Sequence, residues 1–139
     1  MATHHASDFN QKPLHMSAYG NAWVEDYELT ATILNTEKGY FGVIPAGVRV
    51  YEVRLKHHAA GASATCKVGF EPMDGDSPTA DDDYWFADTT DVAAAGVKES
   101  TSAPITFQRP VKLVLTAGGA NFAAGTMSII VNGKVIGVA

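Results

Sequence analysis

The sequence is short of the residues that mark several protein classes. It has one cysteine, Cys66, so no disulfide can form within the chain and the fold depends on packing and hydrogen bonds. No apolar run approaches the roughly 20 residues of a membrane-spanning helix, and the first residues lack the charged and apolar segments of a secretory signal. We therefore expect a protein that folds where it is translated and has no membrane partner.

Basic charge is scarce as well. Ten Lys and Arg stand against 15 Asp and Glu, which gives a net charge of -5, and the basic residues are scattered along the chain. Because a clustered basic face supplies most of the affinity for nucleic acid, we predict no nucleic-acid partner. The charged fraction of 18% is also low for a globular protein, which suggests that a partner covers part of the surface.

Catalytic motifs are missing from the chain. It contains no Gly-x-Ser-x-Gly elbow and no phosphate-binding glycine-rich loop. The neighbours Glu25 and Asp26 would lie on opposite faces of a strand, so they cannot flank one glycosidic bond. We predict that the protein is not an enzyme and that it needs no cofactor.

Metal-binding patterns are weak. One cysteine cannot supply the paired Cys and His of a zinc site, and the adjacent His57 and His58 are interpreted as exposed loop residues. The acidic segment from Asp74 to Asp83 could gather oxygen ligands for calcium, but it lacks the order of an EF-hand loop. A solvated surface loop is the favoured interpretation of this segment, and docking against a basic partner surface remains an alternative.

Alternating apolar residues dominate what the sequence does contain. A period of two predicts strands with one buried face. It occurs at Tyr27, Leu29, Ala31 and Ile33, at Ala64, Cys66, Val68 and Phe70, and at Val111, Leu113 and Leu115. Cys66 is therefore expected to be a small buried residue and not a nucleophile.

Turn signals separate these strands. Pro45-Ala-Gly47 predicts a turn, and the Val48–Leu55 segment switches its apolar parity, which predicts a bulge near Tyr51 and Glu52. Asn132-Gly133 between two apolar runs predicts a hairpin. Residues 92–98 are compatible with a helical turn or with an edge strand.

The pattern as a whole predicts an all-β protein. About eight strands without a long helix point to a jelly roll or β-sandwich over residues 23–139. Residues 1–22 show neither the helical nor the strand period and carry Pro13 and Gly20, so we expect an extended N-terminal arm. Such an arm is either disordered or laid along a neighbouring subunit.

Surplus aromatic residues are the candidate partner contacts. Tyr84, Trp85 and Phe86 are consecutive, and three consecutive residues of a regular strand cannot all face one core, so we expect at least one of them to be exposed or covered by a partner. Packing of this segment in the core remains the alternative. The predicted partner interface consists of Phe9, Leu14, Tyr19, Trp23, Tyr84, Trp85 and Phe86.

Three stretches carry a resemblance to a known protein family. Val43–Leu55, Ala64–Phe70 and Leu113–Val131 with its Ala-Ala-Gly loop resemble small structural proteins of tailed bacteriophages. The chain is similar, over residues 27–138, to the jelly-roll cement, or decoration, protein of a Bordetella phage capsid. The resemblance implies a homodimer on the exterior of the virion, made in the host cytoplasm, that bridges neighbouring subunits of the major capsid protein.

Two other functions remain as alternatives. Jelly rolls often present aromatic side chains and acidic calcium loops to sugars, so a carbohydrate-binding or receptor-binding module is the first alternative. A cupin-type enzyme would need a histidine-rich metal site on facing strands. It ranks last, because the histidines here lie mainly in predicted loops and in the arm.

Overall fold

The alternating segments of the sequence form the strands of a two-sheet sandwich. The computed structural model describes residues 3–5 and 22–137, apart from the side chain of Asp88. The strands are β1 (Thr3–His5), β2 (Ala22–Ala31), β3 (Lys38–Ile44), β4 (Val48–His57), β5 (Thr65–Pro72), β6 (Asp81–Thr89), β7 (Gly96–Glu99), β8 (Ile105–Thr106), β9 (Val111–Gly118) and β10 (Gly125–Val135). No helix in the described part of the chain is long and apolar enough to cross a membrane.

The strand order is that of a jelly roll. One sheet has the order β1-β3-β9-β5-β6, and we call it the β9 sheet. The other has the order β2-β10-β4-β7, with β8 also paired to β4, and we call it the β10 sheet. The pairs are antiparallel, except for the parallel pair of β1 and β3. The predicted all-β jelly roll or β-sandwich is therefore confirmed.

The core lies between the two sheets and is built from the residues that alternate in the sequence. Three groups of these residues are buried: Tyr27, Leu29 and Ile33; Ala64, Cys66, Val68 and Phe70; and Val111, Leu113 and Leu115. Ala31 is partly buried against the same core. The prediction of inward faces from period-two alternation is confirmed for these strands.

The turn and the bulge predicted around β4 are both present. Gly47 has a φ of 85° in the turn between β3 and β4, a conformation that a glycine adopts without strain. Across from β10, Asn132 pairs with Glu52 and Gly133 pairs with Val50, so Tyr51 is left unpaired. The extra residue turns the face of β4 over, and it is why Val50 and Val53 are both buried.

The hairpin predicted at Asn132-Gly133 is wrong. Both residues lie inside β10, which pairs with β2 on one side and with β4 on the other. A side chain at position 133 would place its Cβ 2.5 Å from the carbonyl oxygen of Arg49, so the glycine permits close backbone approach at the bulge. Residues 92–98 divide between the two structures considered, since a 3₁₀ turn at Asp91–Ala93 precedes the edge strand β7.

The N-terminal residues that the structure describes join the sandwich. His4 of β1 pairs with Gly39 of β3, and its Nε2 lies 2.8 Å from Oε1 of the buried Glu37. The same Glu37 oxygen accepts the backbone N–H of Leu34 at 3.0 Å. Most of the predicted arm, residues 6–21, lies outside the described residues, so the arm and its boundary with the sandwich stay predictions.

Candidate partner-binding surface

The aromatic segment of β6 does not follow the geometry of a regular strand. Val68 pairs with Phe86 and Phe70 pairs with Asp81, so residues 82–85 stand opposite the single residue Gly69. This irregularity, with four residues opposite one, lets consecutive side chains turn inward. Trp85 and Phe86 are only 5% and 3% exposed, so their predicted role as surface contacts is corrected: both are core residues.

The other predicted contact residues divide into three cases. Trp23 is also buried in the core, which corrects its assignment to the surface. Tyr84 is half-buried, and its hydroxyl donates to the carbonyl oxygen of Ala103 at 2.7 Å. Its contact with a partner stays a prediction. The remaining three, Phe9, Leu14 and Tyr19, lie outside the described residues.

The acidic segment is part loop and part strand. Asp74 and Asp76 are exposed, whereas Asp81 begins β6, so the predicted loop ends earlier than the sequence suggests. Partial burial and a hydrogen bond with Asp83 raise the pKa of the Asp81 carboxyl. Within the part of the chain that the structure describes, no three His, Cys, Asp or Glu side chains are grouped so as to hold a metal ion.

The two histidines are not exposed loop residues, so that interpretation is wrong. β4 continues through His57, which is 7% exposed. His58 is half-buried, and its Nε2 lies 2.8 Å from the carbonyl oxygen of Ala123. The strand extends further than the apolar pattern predicts because His57 closes the end of the sandwich beside β7.

The outer face of the β9 sheet is closed by its own polar contacts. Glu71 accepts hydrogen bonds from Nζ of Lys38 at 2.6 Å and from the hydroxyl of Tyr40 at 2.8 Å, and Nζ of Lys112 lies 3.7 Å away. Val114 lies on this face with no exposed surface. The charges of this cluster are satisfied internally, which leaves little for a partner.

These contacts shift the pKa values of the cluster. Burial, followed by the hydrogen bond to Glu71, raises the pKa of Tyr40 to about 12. Burial alone would raise the pKa of Glu71, but the hydrogen bonds from Lys38 and Tyr40 outweigh it and hold that pKa below its ordinary value.

The outer face of the β10 sheet is open by comparison, and we call it the open face. It carries exposed apolar side chains at Val24 (63% exposed), Tyr51 (46%) and Val97 (55%), and Ile136 (50%) follows the end of β10. Leu34, the other large apolar residue with comparable exposure among the described residues, lies off this face in the loop between β2 and β3. Val24 and Tyr51 lie near one another at one end of this face, and Val97 lies towards the other end, opposite Lys56.

A partly charged row crosses the open face between Val24 and Tyr51 at one end and Val97 at the other. Asp26, Ile130, Arg54 and Glu99 share one row across the four strands. Arg54 pairs with Glu52 at 2.9 Å and with Glu99 at 3.0 Å. The open face therefore mixes exposed apolar residues with charged ones, as the surfaces of non-obligate interfaces do.

The sequence contained signals for two residues of the open face. Val24 occupies a position of polar parity in β2, between the inward-facing Trp23 and Glu25, and Tyr51 is the residue at which the alternation of β4 breaks. An apolar side chain on the polar side of a strand is a candidate contact residue. The consecutive aromatics of β6 gave a stronger but misleading signal.

Comparison with known proteins identifies the fold. No protein-family model matches the sequence, and no curated protein matches it. The structure matches a chain in the capsid of Ralstonia phage GP4 with a TM-score of 0.74 and 18% identity, covering 99% of this chain and 100% of that chain. Chains of two further capsids match: cyanophage Pam1 (TM-score 0.61, 18% identity, covering 90% and 94%) and Helicobacter pylori bacteriophage KHP30 (0.60, 14%, covering 85% and 90%). The protein thus has the fold of chains found in three bacteriophage capsids.

Proposed function

We propose that this protein is a structural component of a tailed-phage virion. The observation that carries the proposal is the extent of the structural match. The GP4 capsid chain is covered over 100% of its length by 99% of this chain, so the two chains have nearly equal length. The match is therefore to a whole small capsid chain and not to one domain of a large shell protein.

The finer proposal is a cement protein on the capsid exterior. In this proposal a homodimer bridges neighbouring subunits of the major capsid protein, and the open face supplies contacts to that partner. Standard interfaces bury roughly 800 Å² on each partner. A single such contact is modest, but a shell carries many copies, and two linked contacts in a dimer gain affinity from their effective concentration.

Two features of the chain support contact through the open face and not through the outer face of the β9 sheet. The β9 sheet closes its outer face with the Glu71 cluster, whereas the open face exposes Val24, Tyr51 and Val97. Tyr51 also lies within cation–π distance of Arg49, whose guanidinium carbon is 5.6 Å from the ring centroid. Tyrosine and arginine are enriched among the residues that dominate interface energetics.

The test is binding to capsids of the phage that encodes this chain, after their accessory proteins have been stripped. The wild-type chain is expected to co-sediment with shells at a fixed stoichiometry and to slow their thermal disruption, and light scattering is expected to show a dimer. Tyr51→Ala combined with Val24→Asp should weaken binding at least about tenfold, the effect of losing one interface residue worth about 1.4 kcal/mol. Leu34→Asp, which changes an exposed apolar residue off the open face, is the matched control.

Either of two results would contradict the proposal. A chain that does not sediment with the shells at all is not a capsid component. Equal binding by the open-face variant and the Leu34→Asp control would remove the open face from the interface. The predicted arm contacts are tested separately by replacing Phe9, Leu14 and Tyr19 with serine, which leaves β1 in place.

The carbohydrate-binding alternative loses its main support. It requires an aromatic platform on the surface, and the expected residue, Trp85, lies in the core with Phe70 and Phe107. The described residues of the acidic segment also do not form a grouped metal site. For these reasons we propose only the capsid function.

A further inference from the structure

Two cations stand side by side at one end of the open face. Lys134 of β10 and Arg49 of β4 pair directly across the two strands, and both side chains are exposed. Directly opposite residues of an antiparallel pair point to the same face, with Cβ atoms about 5 Å apart. The row continues to Ala22 of β2 and Thr106 of β8, so its four residues carry no carboxylate. We call Arg49, Lys134 and the adjacent Tyr51 the basic patch.

The cations of the basic patch lack an acidic partner. Among the described residues, neither Arg49 nor Lys134 forms an ion pair. The acid in the next row of β4 is Glu52, and it already binds Arg54 at 2.9 Å. Like charges directly opposite one another destabilise a sheet. The chain therefore keeps an unfavourable positive pair although its net charge is -5.

Protection of a sheet edge does not account for this pair. Lysine on an edge strand prevents pairing with the edge of another sheet. However, β10 lies between β2 and β4, and β4 pairs with β8 at Arg49. Both cations are therefore on interior strands, and their charge acts above the face of the sheet.

Exposed apolar groups lie beside the two charges. The guanidinium carbon of Arg49 is 5.6 Å from the ring centroid of Tyr51, which places both side chains on the same face. Val24 pairs with Asn132, one row along the face from Lys134. A partner that packs on Tyr51 and Val24 would exclude water from the neighbouring cations and strengthen their attraction for an anion.

We propose that the basic patch binds an acidic segment of a partner protein. Its carboxylates accept hydrogen bonds from the Arg49 guanidinium and the Lys134 ammonium, and its apolar atoms pack on Tyr51. A polypeptide fits better than nucleic acid, because the exposed Asp26 and Glu28 of β2 stand further along the same face and repel a long chain of phosphates. The inference rests on the proposed function in placing this segment on the capsid shell, and it adds the chemistry of the contact.

The first test is a titration with a capped oligo-glutamate peptide at low ionic strength, followed by the NMR signals of the Tyr51 ring. A saturable shift that weakens as salt is added is expected. The affinity should fall at least about threefold in Arg49→Gln, the loss of one exposed charge pair, and at least about tenfold in Lys134→Glu, which also adds a repulsion. Lys67→Glu makes the same change of net charge on the outer face of the β9 sheet and should leave the affinity unchanged.

The stability of Lys134→Glu separates a lost contact from a lost fold. The substitution sets opposite charges across from one another in the free protein, so Tm should rise by about 1–4 °C while the affinity falls. A fall in Tm would contradict the repulsion between Arg49 and Lys134 on which the proposal depends.

Stripped shells separate this proposal from the capsid function. Lys67→Glu should bind them as the wild type does, and Lys134→Glu should bind at least about tenfold more weakly. Equal binding of the shells or of the peptide by these two variants would overturn the proposal and leave the capsid function standing. If the wild type ignores the shells, the capsid function fails, and the peptide titration alone decides the proposal.

Two other occupants are outcomes of the same experiments. Tighter binding of single-stranded DNA than of the peptide would assign the basic patch to nucleic acid. A wild-type dimer that dissociates in Lys134→Glu would assign it to a second copy of the chain. Either result would overturn the proposal.

Discussion

Replacing Trp85 by alanine separates a core role from a contact role. The Trp85 side chain packs against two other aromatic rings, with its centroid 5.8 Å from that of Phe70 and 6.3 Å from that of Phe107, and it is 5% exposed. Its removal leaves a cavity that this two-sheet core cannot close fully. We expect the free energy of unfolding to fall by about 3–5 kcal/mol, the range for Trp or Phe to Ala in a core.

The assay is urea and thermal unfolding followed by far-UV circular dichroism, since Trp85→Ala also removes a fluorophore. A loss of this size is a large fraction of a typical stability of about 5–15 kcal/mol, and it should lower Tm by roughly 10–20 °C. Tyr51→Ala, on the open face, is the control and should change stability by no more than about 0.5 kcal/mol. A Trp85→Ala variant with unchanged stability and weakened capsid binding would refute the assignment to the core.

Three further predictions concern the β9 sheet. The pKa of Tyr40 is raised to about 12, so its contribution to the free energy of unfolding is complete below about pH 10 and is lost as pH rises through 12. After allowance for solvent screening this contribution is about 1 kcal/mol. The variant Tyr40→Phe should therefore remove this loss of stability from unfolding curves measured at alkaline pH. The pKa of Glu71 is lowered, so its contribution to the free energy of unfolding is present above about pH 4.5 and is lost as pH falls further. In Glu71→Gln the free energy of unfolding should fall less steeply as the pH is lowered. The same acid dependence in this variant as in the wild type would contradict this prediction. In Gly69→Ala the new Cβ would lie 2.5 Å from the carbonyl carbon of Asp82, so urea unfolding should show a loss above about 1 kcal/mol.

The sequence by itself determined the class of the fold and most inward faces. Alternation at Tyr27 and Leu29, and again at Cys66 and Val68, is a local property, because successive side chains of a strand must point to opposite sides. The turn at Gly47 and the bulge at Tyr51 were predictable for the same reason, since the signal for each lies within two or three adjacent residues.

The tertiary structure decided the features that depend on pairing between distant strands. Asn132-Gly133 is a hairpin signal by itself, but β2 and β4 flank it on both sides and hold it inside a continuous strand. Trp85 and Phe86 both turn inward because β6 bulges over Gly69, a residue of another strand.

The candidate surfaces follow the same division. The open face exists because strands far apart in sequence place Val24, Tyr51 and Val97 on one sheet. Local sequence sets the direction of a side chain relative to its own strand. Which strand lies beside it, and therefore what covers it, is fixed only when hydrogen bonds between distant strands set the register.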